Sequence, residues 1–496
     1  MTNLVDRYIR QKSPEAVDTD FVVYLANLSK IAEVSPKIAQ AIIQELADQR
    51  SNLKLIASEN YTSVASQAAM ANLLTDKYAE GYPHHRFYAG CNNVDAVEEH
   101  AATEAMKLFG CEHAYVQPHS GADANLMAYW AILHTRVEIP FFEKLGETNP
   151  SKIGDEDWTE LRKLSGNQRL LGMDYYSGGH LTHGYRHNIS ARMFDAYSYG
   201  VSRKTGLIDY DELERKVKEI QPLILLTGYS AYPRLIDFER MRKIADTVNA
   251  VLMVDMAHFG GLVAGKALTG VYDPVPYAHV ITATTHKTLR GPRGGLILCT
   301  EEFKDAVNKG CPLVIGGPLP HILAAKAVAM TEANTPEYRE YAKRIIENAK
   351  GLADSLMKRG IELITSGTDN HLMLIDVRPF GLNGRQAESA MRECGITLNR
   401  NSIPYDPNGP WYTSGLRVGT PAVTTLGMGG TEMDEIADIL SAVISHTRSL
   451  SRNGKKSSKY VLDDGIREQA RGRVQKLLDR FPVYPGIDLD FLRSAV

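Results

Sequence analysis

His279-Val280-Ile281-Thr282-Ala283 is a short apolar run, and it leads into Thr284-Thr285-His286-Lys287-Thr288-Leu289-Arg290-Gly291-Pro292-Arg293-Gly294. Gly295-Leu296-Ile297-Leu298-Cys299 then follows without a break. Two buried-strand patterns joined by a short basic turn put a lysine at the carboxyl end of a strand. Further out, Leu223–Thr227 and Val251–Asp255 are runs of the same kind, and Asp237–Val248 between them has the pattern of a covering helix. Such alternation predicts an α/β fold with a mainly parallel sheet covered on both faces.

The 496 residues are 44% apolar and 23% charged, enough for two or three units with large cores. Lysine plus arginine (56) nearly balances aspartate plus glutamate (59), so no basic field draws nucleic acid or an anionic membrane. Cys91, Cys111, Cys299, Cys311 and Cys394 form no CxxC pair, which predicts reduced thiols, no metal site and a cytoplasmic protein. The start Met1–Arg7 has no signal-peptide pattern, and no run approaches the ~18 apolar residues of a membrane span.

Three units are expected. Residues 1–55 form a helical arm, with Ser35-Pro36 as a helix start. Residues 56–330 form the large domain, with a polar surface insertion at about 135–172. Residues 331–496 form a smaller α/β domain, opened by a long helix from Thr335-Pro336 to Lys358-Arg359-Gly360. Ser451–Lys459 is a basic connector before a final helix and tail.

Partial burial at a strand end lowers a lysine's pKa, as Schiff-base chemistry requires. A surface lysine on a tight turn is the commoner case, but the threonines, histidine and glycines around Lys287 argue against it. Val254-Asp255-Met256-Ala257-His258 ends another buried strand. Asp255 either caps the next helix or keeps the ring nitrogen of pyridoxal phosphate protonated; pairing with Lys287 favours the second. His258 would then lie near the ring. Gln117-Pro118-His119-Ser120-Gly121 leaves a strand and enters a helix, where free N–H groups, the Ser120 hydroxyl and Gly121 suit a phosphate. Arg417, in Gly415-Leu416-Arg417-Val418-Gly419, suits a bidentate grip on an α-carboxylate, or else a structural ion pair. The loop Lys77-Tyr78-Ala79-Glu80-Gly81-Tyr82-Pro83 offers Glu80 as a proton shuttle. In Gly178-Gly179-His180-Leu181-Thr182-His183-Gly184 an imidazole stacked on the cofactor fits better than a metal pair lacking an acidic partner.

These strings, together with Leu55-Ile56-Ala57-Ser58-Glu59-Asn60-Tyr61 and Gly415–Ala422, stand in one order that resembles serine hydroxymethyltransferase over about residues 50–450. The resemblance implies pyridoxal-phosphate transferase fold type I, with a seven-stranded sheet in the large domain. It implies Lys287 as the Schiff-base lysine, Asp255 at the pyridine nitrogen, His180 on the ring, Thr284 at the cofactor, and Ser120 and Gly121 at the phosphate. Gly317 would reach that phosphate from a neighbouring subunit of a homodimer. His258 and Ser230 would lie near the ring hydroxyl, and Ser58 and Arg417 at the substrate carboxylate. Tyr78, Glu80 and Tyr88 would lie at the reacting side chain, and Gly179, Leu181 and Asn401 on the folate side. The implied reaction moves the hydroxymethyl carbon of serine to tetrahydrofolate, giving glycine and 5,10-methylenetetrahydrofolate through a Schiff base with pyridoxal 5'-phosphate. Aldolase or racemase side reactions are expected, and Glu80 can act as acid or base. The sequence departs from the family at Ala122-Asp123, at Phe87, at Asp174–Ser177 and at Cys311–Gly317.

Overall fold

The computed structural model describes residues 4–450 and 457–495. At its centre lies a seven-stranded sheet made of β1 (His113–Tyr115), β2 (Arg169–Met173), β3 (Asp195–Tyr199), β4 (Ile224–Gly228), β5 (Val251–Asp255), β6 (Val280–Thr284) and β7 (Gly295–Cys299). Their spatial order is β1-β7-β6-β5-β4-β2-β3. β2 to β6 are mutually parallel, and β7 runs antiparallel to β6 and β1.

Strand periodicity explains why these runs carry no polar alternation. Leu225, Leu252, Val254, Ile281 and Ala283 enter one apolar core, while Ile224, Leu226, Val251, Met253 and Val280 enter a second. Both faces are covered, and each buried aliphatic side chain contributes roughly 1.5–3 kcal/mol. The helix Phe238–Asp246 shows the covering pattern: Asp237 caps it by accepting from Arg240 N at 2.8 Å, and Phe238, Met241, Ile244 and Ala245 face the core.

The second α/β unit holds a three-stranded antiparallel sheet, Leu372–Asp376, Gly415–Gly419 and Asn399–Asn401. The helix Pro336–Lys358 joins the two units: Tyr338, Tyr341, Ala342 and Ile345 pack into the large sheet's first core, and Ala349, Leu352, Ala353 and Leu356 into the smaller unit's own core. The helices Thr19–Val34 and Pro36–Ser51 of the expected arm pack on this chain's own Val483, Ile487, Phe491 and Leu492. Of the expected connector, residues 451–456 lie outside the described residues. No helix among the described residues is long and apolar enough to cross a membrane.

The surface insertion expected over about 135–172 is too long. Val137 belongs to the second core, and Arg169–Met173 is a sheet strand with Leu170 and Leu171 fully buried. Between them, the helices Ile139–Leu145 and Asp155–Gly166 share a small cluster of Phe141, Phe142 and Leu161. The strand escapes a sequence reading because its apolar part, Leu170-Leu171-Gly172-Met173, directly follows a polar helix.

Gly228 sets the spacing of β4 and β5 at the site edge. It has φ +127° and faces Asp255, whose carbonyl oxygen would lie 2.1 Å from any Cβ there. Gly228→Ala is therefore expected to lower the thermal midpoint by about 2–5 °C in a calorimetric scan.

Candidate active site

Candidate residues gather where the parallel strands end. β1 leads to Ser120 and Gly121, β4 to Ser230, β5 to His258 and β6 to Lys287, at the carboxyl edge where α/β sheets bind ligands. A cavity of about 350 Å³ there is lined by Ser58, Ser120, Gly121, His180, Ser230, Asp255, His258, Thr284, His286, Lys287 and Arg293.

One wall is a helix start. Ser120, extended at φ −147°, caps the helix Gly121–Leu133 by accepting from Asp123 N at 3.2 Å, and its hydroxyl donates to Asp123 Oδ2 at 2.9 Å. A Cβ on residue 121 would lie 2.7 Å from Thr284 Cγ2, so glycine keeps this wall open. His286 Nδ1 is buried here with no hydrogen-bond partner. Burial holds that imidazole down at about 3, so it stays neutral. A helix N-terminus, a hydroxyl, an unpartnered ring nitrogen and Arg293 together fit the phosphate of pyridoxal phosphate.

Another part of the lining is acidic. Burial alone would raise the Asp255 carboxyl, but hydrogen bonds and charge from His183, the charge of His180 and a hydrogen bond from Asn125 hold it well below the usual range. His183 Nε2 donates to Oδ2 at 3.1 Å, Asn125 Nδ2 donates to Oδ2 at 2.9 Å, and Ala257 N donates to Oδ1 at 3.0 Å. An ionised, buried carboxylate fits the protonated pyridine nitrogen of that cofactor.

Lys287 lines the same cavity. Asn60 Nδ2 donates to its carbonyl at 3.0 Å, and Thr285 N to Gly294 O at 3.1 Å, which fixes the turn. Burial lowers the amine to about 8, against the raising effect of Asp255. His258 Nδ1 lies 3.2 Å from His371 Nε2, with the rings stacked, and burial keeps both imidazoles neutral.

A second cavity of about 510 Å³ shares Ser58, His180, Ser230, His258 and Lys287, and adds Gly179, Leu181, Asn401 and Arg417. Arg417 Nη1 donates to Ser230 O at 2.7 Å and Nε to Asn399 Oδ1 at 3.1 Å. Burial lowers this guanidinium to about 10. Its remaining donors are free of any carboxylate partner among the described residues, as expected of a group kept for a ligand's anion.

Tyr78, Glu80, Tyr88 and Gly317 line neither cavity of this chain. They form a separate surface cluster: Tyr88 OH donates to Glu80 Oε2 at 3.2 Å, the Tyr78 and Tyr88 rings lie 5.1 Å apart, and Gly317 packs against Tyr78. Tyr78 is 57% exposed and Phe87 71%.

Asn125, Thr282 and His371 were not singled out in the sequence, and His183 was weighed there only as half of a metal pair, yet the four build the acid wall and support His258. Asn125 also accepts from Thr282 Oγ1 at 2.5 Å. Asn125 and His183 adjoin or stand inside the Ser120–Gly121 and Gly178–Gly184 motifs, so they could have been found; His371 gives no local signal.

A lysine amine and a buried carboxylate sharing one cavity, where a parallel sheet meets an antiparallel strand, make this a pyridoxal-phosphate enzyme of fold type I. The chain belongs to the serine hydroxymethyltransferase family, whose family model matches residues 31–140 and 161–440. The serine hydroxymethyltransferase of Treponema pallidum is 58% identical over 489 residues, 98% of this chain and 85% of its own length. That of Salinispora tropica is 55% identical over 474 residues, 95% and 99% of the two chains. That of Chlamydia trachomatis serovar D is 48% identical over 496 residues, 99% and 100%.

The acid wall has a measurable consequence. With its pKa depressed on folding, Asp255 contributes stability that is present above the ordinary carboxylate range and fades as pH falls through its folded value. Asn125→Leu removes one donor and leaves the Thr282 hydroxyl unpaired, at an expected cost of about 1–3 kcal/mol. Urea unfolding should show the largest deficit near pH 7 and a smaller one in acid.

Proposed function

We propose that this chain transfers the hydroxymethyl carbon of serine reversibly to tetrahydrofolate, giving glycine and 5,10-methylenetetrahydrofolate, and that Lys287, Asp255 and Arg417 carry the reaction. The observation that carries this reading is the cavity in which the Lys287 amine, the ionised Asp255 and the Ser120–Gly121 helix start converge.

Pyridoxal phosphate supplies an electron sink for the pair left at Cα when a bond there breaks. Ser120, Gly121 and Thr284 would hold its phosphate, His180 would cover its ring, and Asp255 would keep its nitrogen protonated. Ser230 and His258 would border the ring hydroxyl. With its amine at about 8, Lys287 has roughly a tenth of its population neutral at pH 7, far more than an exposed lysine. Ser58 and Arg417 would grip the amino-acid carboxylate and so orient the Cα bonds of the substrate. Gly179, Leu181 and Asn401 line the adjoining cavity, where the folate would lie.

Glu80, Tyr78 and Tyr88 would handle the proton of the hydroxymethyl oxygen from a second subunit, with Gly317 reaching the phosphate from the same side. Their separation from Lys287 within one chain and the exposed Tyr78 and Phe87 support a homodimer with composite sites. The five unpaired cysteines suit a cytoplasmic protein.

Borohydride reduction followed by peptide mapping should fix the cofactor on Lys287, and label on any other side chain would sink the assignment. Serine cleavage should depend on tetrahydrofolate, and Arg417→Ala should raise KM for serine by a factor of 30 or more, on the order of 2 kcal/mol or above. Mixing inactive Lys287→Ala and Glu80→Gln chains should restore about a quarter of the activity, because half of the chains' dimers are hybrids carrying one intact composite site. Absence of recovery with subunits shown to exchange would rule out the shared site.

A further inference from the structure

Lys326 lies on the helix Pro320–Ala333 and is 1% exposed. Its Nζ donates to three backbone carbonyls: Val116 O at 2.5 Å, Pro118 O at 2.9 Å and Gly295 O at 2.9 Å. Three acceptors need three N–H groups, so this geometry belongs to the ammonium form. Burial draws the amine down to about 7, while Glu98 and Asp123 work in the other direction. The side chain is wedged below residue 294, where a Cβ would lie 2.4 Å from Lys326 Cε and 2.9 Å from Nζ.

The three carbonyls belong to two segments that meet at the cavity. Val116 and Pro118 lead from β1 to Ser120 and Gly121. Gly295 opens β7, directly after the turn that carries Lys287 and Arg293. A buried cation that binds both segments opposes their separation more strongly than a neutral donor would.

We infer that Lys326 is a positioning residue for the cofactor's phosphate: it clamps the Ser120–Gly121 loop to the strand closing the Lys287 turn and so fixes the width of the anion cup. All its donors are used by backbone, so it acts through the loop and not by touching the phosphate. This rests on the cavity being the proposed pyridoxal-phosphate site.

The test compares pyridoxal phosphate with pyridoxal, which lacks the phosphate. Holoenzyme is stripped of cofactor and titrated with each by absorbance, for wild type, Lys326→Met and Gly294→Ala; the last displaces the lysine without removing it. Both variants should bind pyridoxal phosphate on the order of 10–100-fold more weakly, as metal sites do when the hydrogen bonds that orient their ligands are removed. Their affinity for pyridoxal should change less than about threefold. Equal losses for the two ligands, an unchanged affinity for pyridoxal phosphate, or failure of both variants to fold would place Lys326 in the scaffold and overturn the inference. A wild-type protein with no preference for the phosphorylated form would instead overturn the reading of the cavity, and the inference with it.

Discussion

A carboxylate has to stay ionised inside this protein, and much of the surrounding structure answers that demand. Burial at the end of β5 drives Asp255 toward its neutral form. His183, Asn125 and the Ala257 amide supply the hydrogen bonds that reverse the preference. Those donors come from the segment after β2, the helix after β1 and the turn after β5, so the charge holds only if the sheet is assembled in its observed order. Lys287, on the turn after the neighbouring strand, then feels both the low dielectric that weakens its hold on a proton and the anion that restores part of it.

The same edge shows how the fold divides its labour. Parallel strands bring the lysine, the acid and the helix-start cup together, and the antiparallel β7 returns the chain beneath the turn. Arg417 reaches in from the smaller sheet and is oriented by Ser230 of the large unit, so the two units meet at the guanidinium proposed to grip the substrate carboxylate. The Glu80 cluster lies apart. Its hairpin is secured by Arg86, which donates to the carbonyls on either side of Glu80 and is paired with Asp95 and Glu98. That gives a half-buried carboxylate a rigid mount, as expected of a group presented to another molecule.

Much was legible beforehand. Val251–Asp255 and Gly295–Cys299 match their strands residue for residue, because five apolar residues between turn signals have few other ways to bury themselves. Lys287, Asp255 and Ser120 stood out as candidates because each sits at or just past a strand or helix end, and Arg417 because small residues flank it in the strand Gly415–Gly419. β2 was less visible, because its short apolar run merges with the polar helix before it. His371 lies 113 residues from the histidine it supports, and local patterns carry no trace of such a pairing.

Sequence alone determined most of the sheet's strands, the alternating helices and the residue types able to perform amino-acid chemistry, because hydrophobic periodicity and turn chemistry act over a few residues. Only the tertiary structure decided that Asp255 keeps its charge, that Lys326 joins two segments of the cup, and that Glu80 lies away from Lys287 within one chain. Those outcomes depend on burial and on contacts between segments far apart in the chain, and the electrostatics of a buried group is set by everything packed around it.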